Sequence, residues 1–148
     1  MNITIVVFAV ILSLGAIEIV LSIHNPFFLN LRGNKITLPI YQKSVRVNPY
    51  ATKLDKRVIV SRNSLGFWGE EPPINIDEFL SVVAIGGSTT ECSALTNGKD
   101  WPALLNASLQ SKFSKLWLNN AGFGGHSTFG HLYLQREYVS SISPKVIL

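Results

Sequence analysis

Apolar and polar positions divide the chain into three stretches of different character. From Ile3 to Ile23 the sequence ITIVVFAVILSLGAIEIVLSI is apolar apart from Thr4, Ser13, Ser22 and the carboxylate of Glu18. A helix needs roughly 20 such residues to cross a bilayer, so the pattern predicts a transmembrane helix over 1–23. Glu18 lies towards one end of the run, within reach of the interface or of a partner helix. A cleaved signal peptide fits less well: the run is long, no Lys or Arg precedes it, and no small-x-small cleavage site follows.

Between 24 and 79 the periodicity is lost. Pro26, Pro39, Pro49, Pro72 and Pro73 punctuate this stretch, and only KRVIVS (56–61) has the pattern of a strand. The segment reads as a linker and an irregular approach to the domain. Within it RNSLGFWGEEPP (62–73) has the composition of a surface loop of successive turns, with Gly66 and Gly69 able to take positive φ.

After Glu78 the pattern becomes regular. FLSVVAIG (79–86) is a short apolar run ended by glycine, as expected of a strand covered on both faces. Asp100 is placed to cap a helix with Pro102 in its first turn and an apolar stripe of Trp101, Leu104, Leu105, Leu109 and Phe113. KLWLNNAG (115–122) reads as a second strand. Ser127 or Thr128 then caps a second helix, in which Phe129, Leu132, Tyr133, Arg136 and Val139 keep helical spacing until Ser143 and Pro144 stop it. KVIL (145–148) opens a third strand. The order β-α-β-α-β predicts an α/β fold, a parallel sheet with helices packed on it, through right-handed crossovers.

Composition adds limits. The 148 residues, 47% of them apolar, suit one domain with its own core plus a membrane segment. The net charge is +4, and eight of the 13 Lys and Arg fall between Arg32 and Arg62, where Asp55 is the only acid. No long basic run or basic helix face forms, so a membrane lipid surface is the expected partner and nucleic acid is not. Taken alone, this charge asymmetry puts the body of the protein on the cytoplasmic side. Cys92 is the only cysteine, which excludes an internal disulfide and any cysteine spacing for zinc. No cofactor and no metal is expected.

The strand ends carry the candidate chemistry. In open parallel sheets ligands bind beyond the C-terminal ends of the strands, which here bear GGSTTE (86–91) and NAGFGGHST (120–128). A serine at such a bend can project its hydroxyl into the crevice. The glycines let a substrate approach the backbone, and free N–H groups can face a developing oxyanion. Catalysis, nucleotide binding and plain tight turns all remain open on the pattern. Phosphate binding is weakened because GGSTTE lacks the P-loop spacing and GFGGHS has Ser127 where G-x-G-x-x-G needs its third glycine. Nor does GGSTT match the G-x-S-x-G elbow.

From about Arg62 to Leu148 the chain resembles the SGNH (GDSL-type) hydrolases. VVAIGGSTTEC (82–92) looks like the first block of that family and NAGFGGHST the second. NSLGFWGEEPP (63–73) and DWPALL (100–105) are similar to segments of membrane-anchored bacterial members, where an arginine often stands at the position of Trp68. The resemblance implies a three-layer, flavodoxin-like fold and a serine esterase. Ser88 would be the nucleophile, and the amides of Ser88 and Gly125 would form the oxyanion hole. The substrate would be a small-molecule or glycan ester, and the domain would be extracytoplasmic on a single-pass anchor.

Asn120 matches the second-block asparagine that shapes the turn, and Thr89 and Thr90 would hold the first turn. The family's third block, with its oxyanion-hole asparagine, and its D-x-x-H block would follow KVIL, so the expectation is that 80–148 is the N-terminal half of a longer domain and is inactive alone. His126, with Glu91 or Asp100 to orient it, is the first candidate for a substitute base, ahead of His131 and His24, and a structural or solvated histidine is favoured over it. An O-acyltransferase on the same fold and a non-catalytic membrane-anchored binding domain are the alternatives. Asn106 opens N-A-S, a glycosylation acceptor or an exposed helix position.

Overall fold

The computed structural model describes residues 3–23, 31–32, 35–48 and 52–148. It divides into two compact units, Met1–Thr37 and Leu38–Leu148. Pro26 and Pro49 lie outside the described residues.

In the first unit α1 (Ile3–Ile23) is a 21-residue helix with every side chain exposed and a mean hydropathy of 2.7. At 1.5 Å per residue it is about 30 Å long. It is therefore long and apolar enough to cross a membrane. Ser13 donates its hydroxyl to the Ala9 carbonyl and Ser22 to that of Ile19, so both hydroxyls are satisfied within the helix, as hydrocarbon surroundings demand. β1 (Leu31–Arg32) and β2 (Lys35–Ile36) form a two-residue antiparallel pair.

The second unit begins well before the regular pattern of the sequence. β3 (Lys43–Val47) pairs antiparallel with β4 (Arg57–Ser61), from Lys43 opposite Ser61 to Val47 opposite Arg57. β4 is the strand expected at 56–61, and its alternate residues Val58 and Val60 are buried against Trp68. β3 was not expected. It is short and largely exposed, and Lys43 and Arg46 are charged, so its alternation carries little apolar signal.

The expected β-α-β-α-β order is present. β5 (Leu80–Ala84), β6 (Leu116–Asn120) and β7 (Val146–Ile147) are all parallel, in the order β6-β5-β7. Between them lie α2 (Ser88–Glu91), α3 (Trp101–Gln110) and α4 (Thr128–Leu134), which runs through a π-helical turn (Gln135–Val139) into α5 (Ser140–Ile142). Successive strand residues face opposite ways. Val82, Leu116 and Leu118 accordingly pack with Leu105 and Leu109 of α3. Val83 and Trp117 pack on the other face with Phe67, Leu134 and Val139. Helical residues thus cover both faces of the sheet at β5 and β6, which explains why these two strands are almost wholly buried and read as nearly continuous apolar runs, whereas β7 is exposed.

Two helix faces differ from expectation. Asp100 caps α3 as predicted, accepting from the Ala103 N–H, but only part of the proposed stripe points inward. At 3.6 residues per turn Pro102, Leu105 and Leu109 share the sheet-facing side, whereas Trp101 and Leu104 point away and Phe113 lies past the helix end, all three exposed. In the second helix Ser127 is the capping residue, although its side chain makes no capping bond. Gly130, Leu134 and Val139 are buried there, and Phe129 and Leu132 are exposed. The five-residue step from Leu134 to Val139 matches the π turn, which shifts the inward face off a uniform helical period.

The core assignment predicts that Leu134→Ala lowers stability by about 2–5 kcal/mol. Leu132→Ala, two residues away on the exposed side, should change it by less than about 0.5 kcal/mol. Urea unfolding followed by tryptophan fluorescence measures both.

Candidate functional site

β5 and β6 end together, with Ala84 opposite Asn120, so the two glycine-bearing turns leave the same edge of the sheet. The first turn runs through Gly86 and Gly87 into α2. Ser88 is the first residue of that short helix and is exposed. Its N–H stands at the first helical position, where the helix offers no acceptor. Among the described residues, no side chain is hydrogen-bonded to Ser88.

The second turn lies against the first. The Ala121 N–H donates to the Ala84 carbonyl at 2.8 Å, and the Phe123 N–H to that of Gly86 at 2.9 Å. A Cβ on Gly87 would stand 3.8 Å from the His126 carbonyl oxygen. At Gly122 the approach is closer: a Cβ there would overlap the backbone of Thr90 and Glu91, so only glycine fits. Gly125 is exposed at φ +79°, a conformation that favours glycine, and its N–H finds no acceptor among the described residues. The structure thus brings the turn of Ser88 and the turn of Gly125 side by side.

A buried polar network supports both turns. Asn120 donates its amide to the Thr90 carbonyl at 2.6 Å and to Asp100 Oδ1 at 3.2 Å, and its Oδ1 accepts from the Gly122 N–H at 2.8 Å. One side chain therefore ties together α2, the cap of α3 and the second turn. The role expected for Asn120 is met with this added reach. Asn119 takes part as well: its Oδ1 accepts from Asn63 Nδ2 at 2.7 Å, while Asn63 Oδ1 accepts from the N–H groups of Leu65 and Phe67.

The stretch 62–73 is not a surface loop. Arg62, Asn63, Phe67 and Trp68 are all buried, and Trp68 pairs antiparallel with Asn120 at the outer edge of β6, through bonds of 2.8 and 3.0 Å. The Arg62 guanidinium sits 4.6 Å from the Trp68 ring centroid and 4.6 Å from that of Phe123. It donates to the Gly66 carbonyl and forms an ion pair with Glu91 at 3.1 Å. Burial, opposed by Glu91, pushes the Arg62 guanidinium down to about 10, so it remains charged at neutral pH. Glu91 is the last residue of α2, and this clamp fixes the far end of the helix that starts at Ser88. Arg62, Asn63 and Trp68 are the site residues the sequence reading missed. The usable signal was two large aromatics within a turn-rich stretch, since such side chains bury most of their surface.

His126 is stacked on Phe123 with centroids 4.8 Å apart, and its Nδ1 is buried with no partner among the described residues. Its ring lies 6.3 Å from that of His131. Burial, and secondarily His131, hold its pKa below the ordinary imidazole value. It makes no hydrogen bond to Ser88. The two acids weighed as its partners are engaged elsewhere, Glu91 with Arg62 and Asp100 with Asn120 and the Ala103 N–H. With its ring stacked on Phe123 and its Nδ1 buried, His126 has no orienting carboxylate among the described residues. Among the described residues no cluster of three His, Cys, Asp or Glu could hold a metal ion. Cys92 is a free thiol.

Comparison with protein-family models, curated proteins and solved structures finds no match to this chain.

Two outcomes follow from the clamp and the histidine. Glu91→Ala leaves the Arg62 charge buried and unpaired and should cost about 3–5 kcal/mol, whereas an Arg62→Met, Glu91→Met double variant should lose less than the single one. His126, with its depressed folded-state pKa, takes up a proton in the unfolded chain first. Its contribution to stability is therefore lost as pH falls below about 6.5 and levels off under the folded-state pKa. The urea midpoint should fall over that window, and His126→Asn should remove that part of the slope.

Proposed function

We propose that this chain carries the nucleophile of a membrane-anchored serine ester hydrolase of the SGNH type. The observation that supports it most is the exposed Ser88 at the start of α2, directly after the central strand, with the turn of Gly125 against it. The Ser88 hydroxyl attacks the ester carbonyl, the alcohol leaves with a proton, and water then cleaves the acyl-enzyme to free acid and serine. The amides of Ser88 and Gly125 stabilise the tetrahedral oxyanion, where one such donor is worth about a hundred- to a thousandfold in rate.

No residue described here is assigned the proton-accepting role. In the SGNH reading the D-x-x-H block supplies it and a third-block asparagine completes the oxyanion hole. The fold reading is the flavodoxin-like, three-layer one, with a small-molecule or glycan ester as substrate. α1 serves as a single-pass anchor and holds the domain on the extracytoplasmic side.

The test is turnover of p-nitrophenyl acetate by the full-length protein. Ser88→Ala should reduce it to background. Gly125→Ala, forced at positive φ, should displace the amide and lower kcat by about a hundredfold or more with little change in KM. Undiminished turnover in Ser88→Ala would refute the reading.

A further inference from the structure

The outer face of the β3–β4 hairpin is apolar along its middle and basic at its ends. Residues directly opposite one another in an antiparallel pair share a face. Val58 and Val60 point inward against Trp68, so the alternate pairs, Val45 opposite Ile59 and Val47 opposite Arg57, point outward. Val45 is 50% exposed, Val47 72% and Ile59 43%, and because they adjoin on one face they form a patch and not scattered exposure. The turn just before β3 bears two more bare side chains, Ile40 and Tyr41. Tyr41 holds φ +51°, a left-handed conformation unfavourable for a bulky residue, while its ring stays in solvent.

The charge around this patch has one sign. Between Leu38 and Ser61 the basic residues are Lys43, Arg46, Lys53, Lys56 and Arg57, and Asp55 is the only acid. Asp55 is taken by Lys99 at 2.8 Å, and none of the five cations forms an ion pair among the described residues. Lys43 and Arg57 stand on the outer face itself, at opposite ends of it.

These features select an occupant. A second copy of the chain would set the cations against their own kind, which is unfavourable. Apolar side chains ringed by Lys and Arg suit the boundary of a bilayer, where the apolar groups sink below the headgroups and the charged ends reach the phosphates. The chain also keeps such a surface at hand: α1 is long and apolar enough to cross a membrane, and only residues 24–42 separate it from β3. We propose that the outer face of this hairpin docks on a membrane surface rich in anionic phospholipid, with Val45, Val47 and Ile59 at the headgroup boundary and Lys43 and Arg57 on lipid phosphates. The proposal rests on α1 as the anchor and is independent of the chemistry of Ser88. Docking holds the tethered domain in one attitude to the bilayer.

The test uses the full chain in vesicles of phosphatidylcholine, with and without phosphatidylglycerol, each containing spin-labelled lipid as a fluorescence quencher. Cys92→Ser removes the native thiol, and a fluorophore is attached through Val45→Cys or, in a second sample, through Leu12→Cys in the middle of α1. The probe at position 12 should be quenched in both lipids. The probe at position 45 should be quenched only with phosphatidylglycerol, and about 1 M salt, which shortens the screening length to about 3 Å, should relieve it. Lys43→Glu and Arg57→Glu, both at exposed positions, should each weaken docking about fivefold or more, read from the phosphatidylglycerol content needed for half-quenching. Position 45 unquenched while position 12 is quenched would assign the face to a protein partner and overturn the proposal. So would quenching at position 45 that is equal in both lipids or unmoved by salt. An unquenched probe at position 12 would refute the anchor and the docking with it, and none of these results bears on turnover by Ser88.

Discussion

The two turns at the edge of the parallel sheet meet main chain to main chain, and the rest of the site depends on that contact. Gly122 allows it, because any side chain there would enter the backbone of Thr90 and Glu91. Bonds from Ala121 to Ala84 and from Phe123 to Gly86 extend the strand pairing past the ends of β5 and β6. The geometry of Ser88 relative to Gly125 is therefore set by backbone packing, which moves far less than a pair of free loops. A nucleophile and a donor pair need that kind of support to act together.

Side chains then hold what the backbone contact sets. Asn120 grips α2 through the Thr90 carbonyl, and Glu91 at its far end is clamped by Arg62. A four-residue helix has little cohesion of its own, since few of its backbone groups can bond within it. Placing charged and amide groups in the interior carries a desolvation cost, and each is accordingly bonded on several sides. Asn120 also bonds Asp100, the cap of α3, so α2 and the start of α3 are tied through one side chain.

What was legible in the sequence was whatever local chemistry decides. The strands at 79–86 and 115–122, the cap at Asp100 and the end of the second helix at Ser143 each follow from a few neighbouring residues, and the structure has them. The glycine turns were recognised as the site of interest because a parallel sheet gathers its strand ends on one edge. What was not legible depended on distant partners. The stretch 62–73 reads as turns because its backbone does turn, yet Arg62 and Trp68 are buried by Phe123, Glu91 and Asn120, more than 25 residues away in sequence. The inward face of α4 was misphased because a π turn leaves no mark in a helical period. The outward placement of Trp101 and Leu104 has a different origin: one helical stripe can be centred on either of two neighbouring rows.

The central claim is that Ser88 is a reactive nucleophile and not merely the first residue of a tight turn. The most direct measurement is covalent trapping by a fluorophosphonate in native membranes, followed by peptide mass spectrometry. The account predicts a stoichiometric adduct on Ser88, reduced when an ester competes. An intact protein whose Ser88 peptide stays unlabelled, while serine hydrolases in the same membranes are modified, would contradict it.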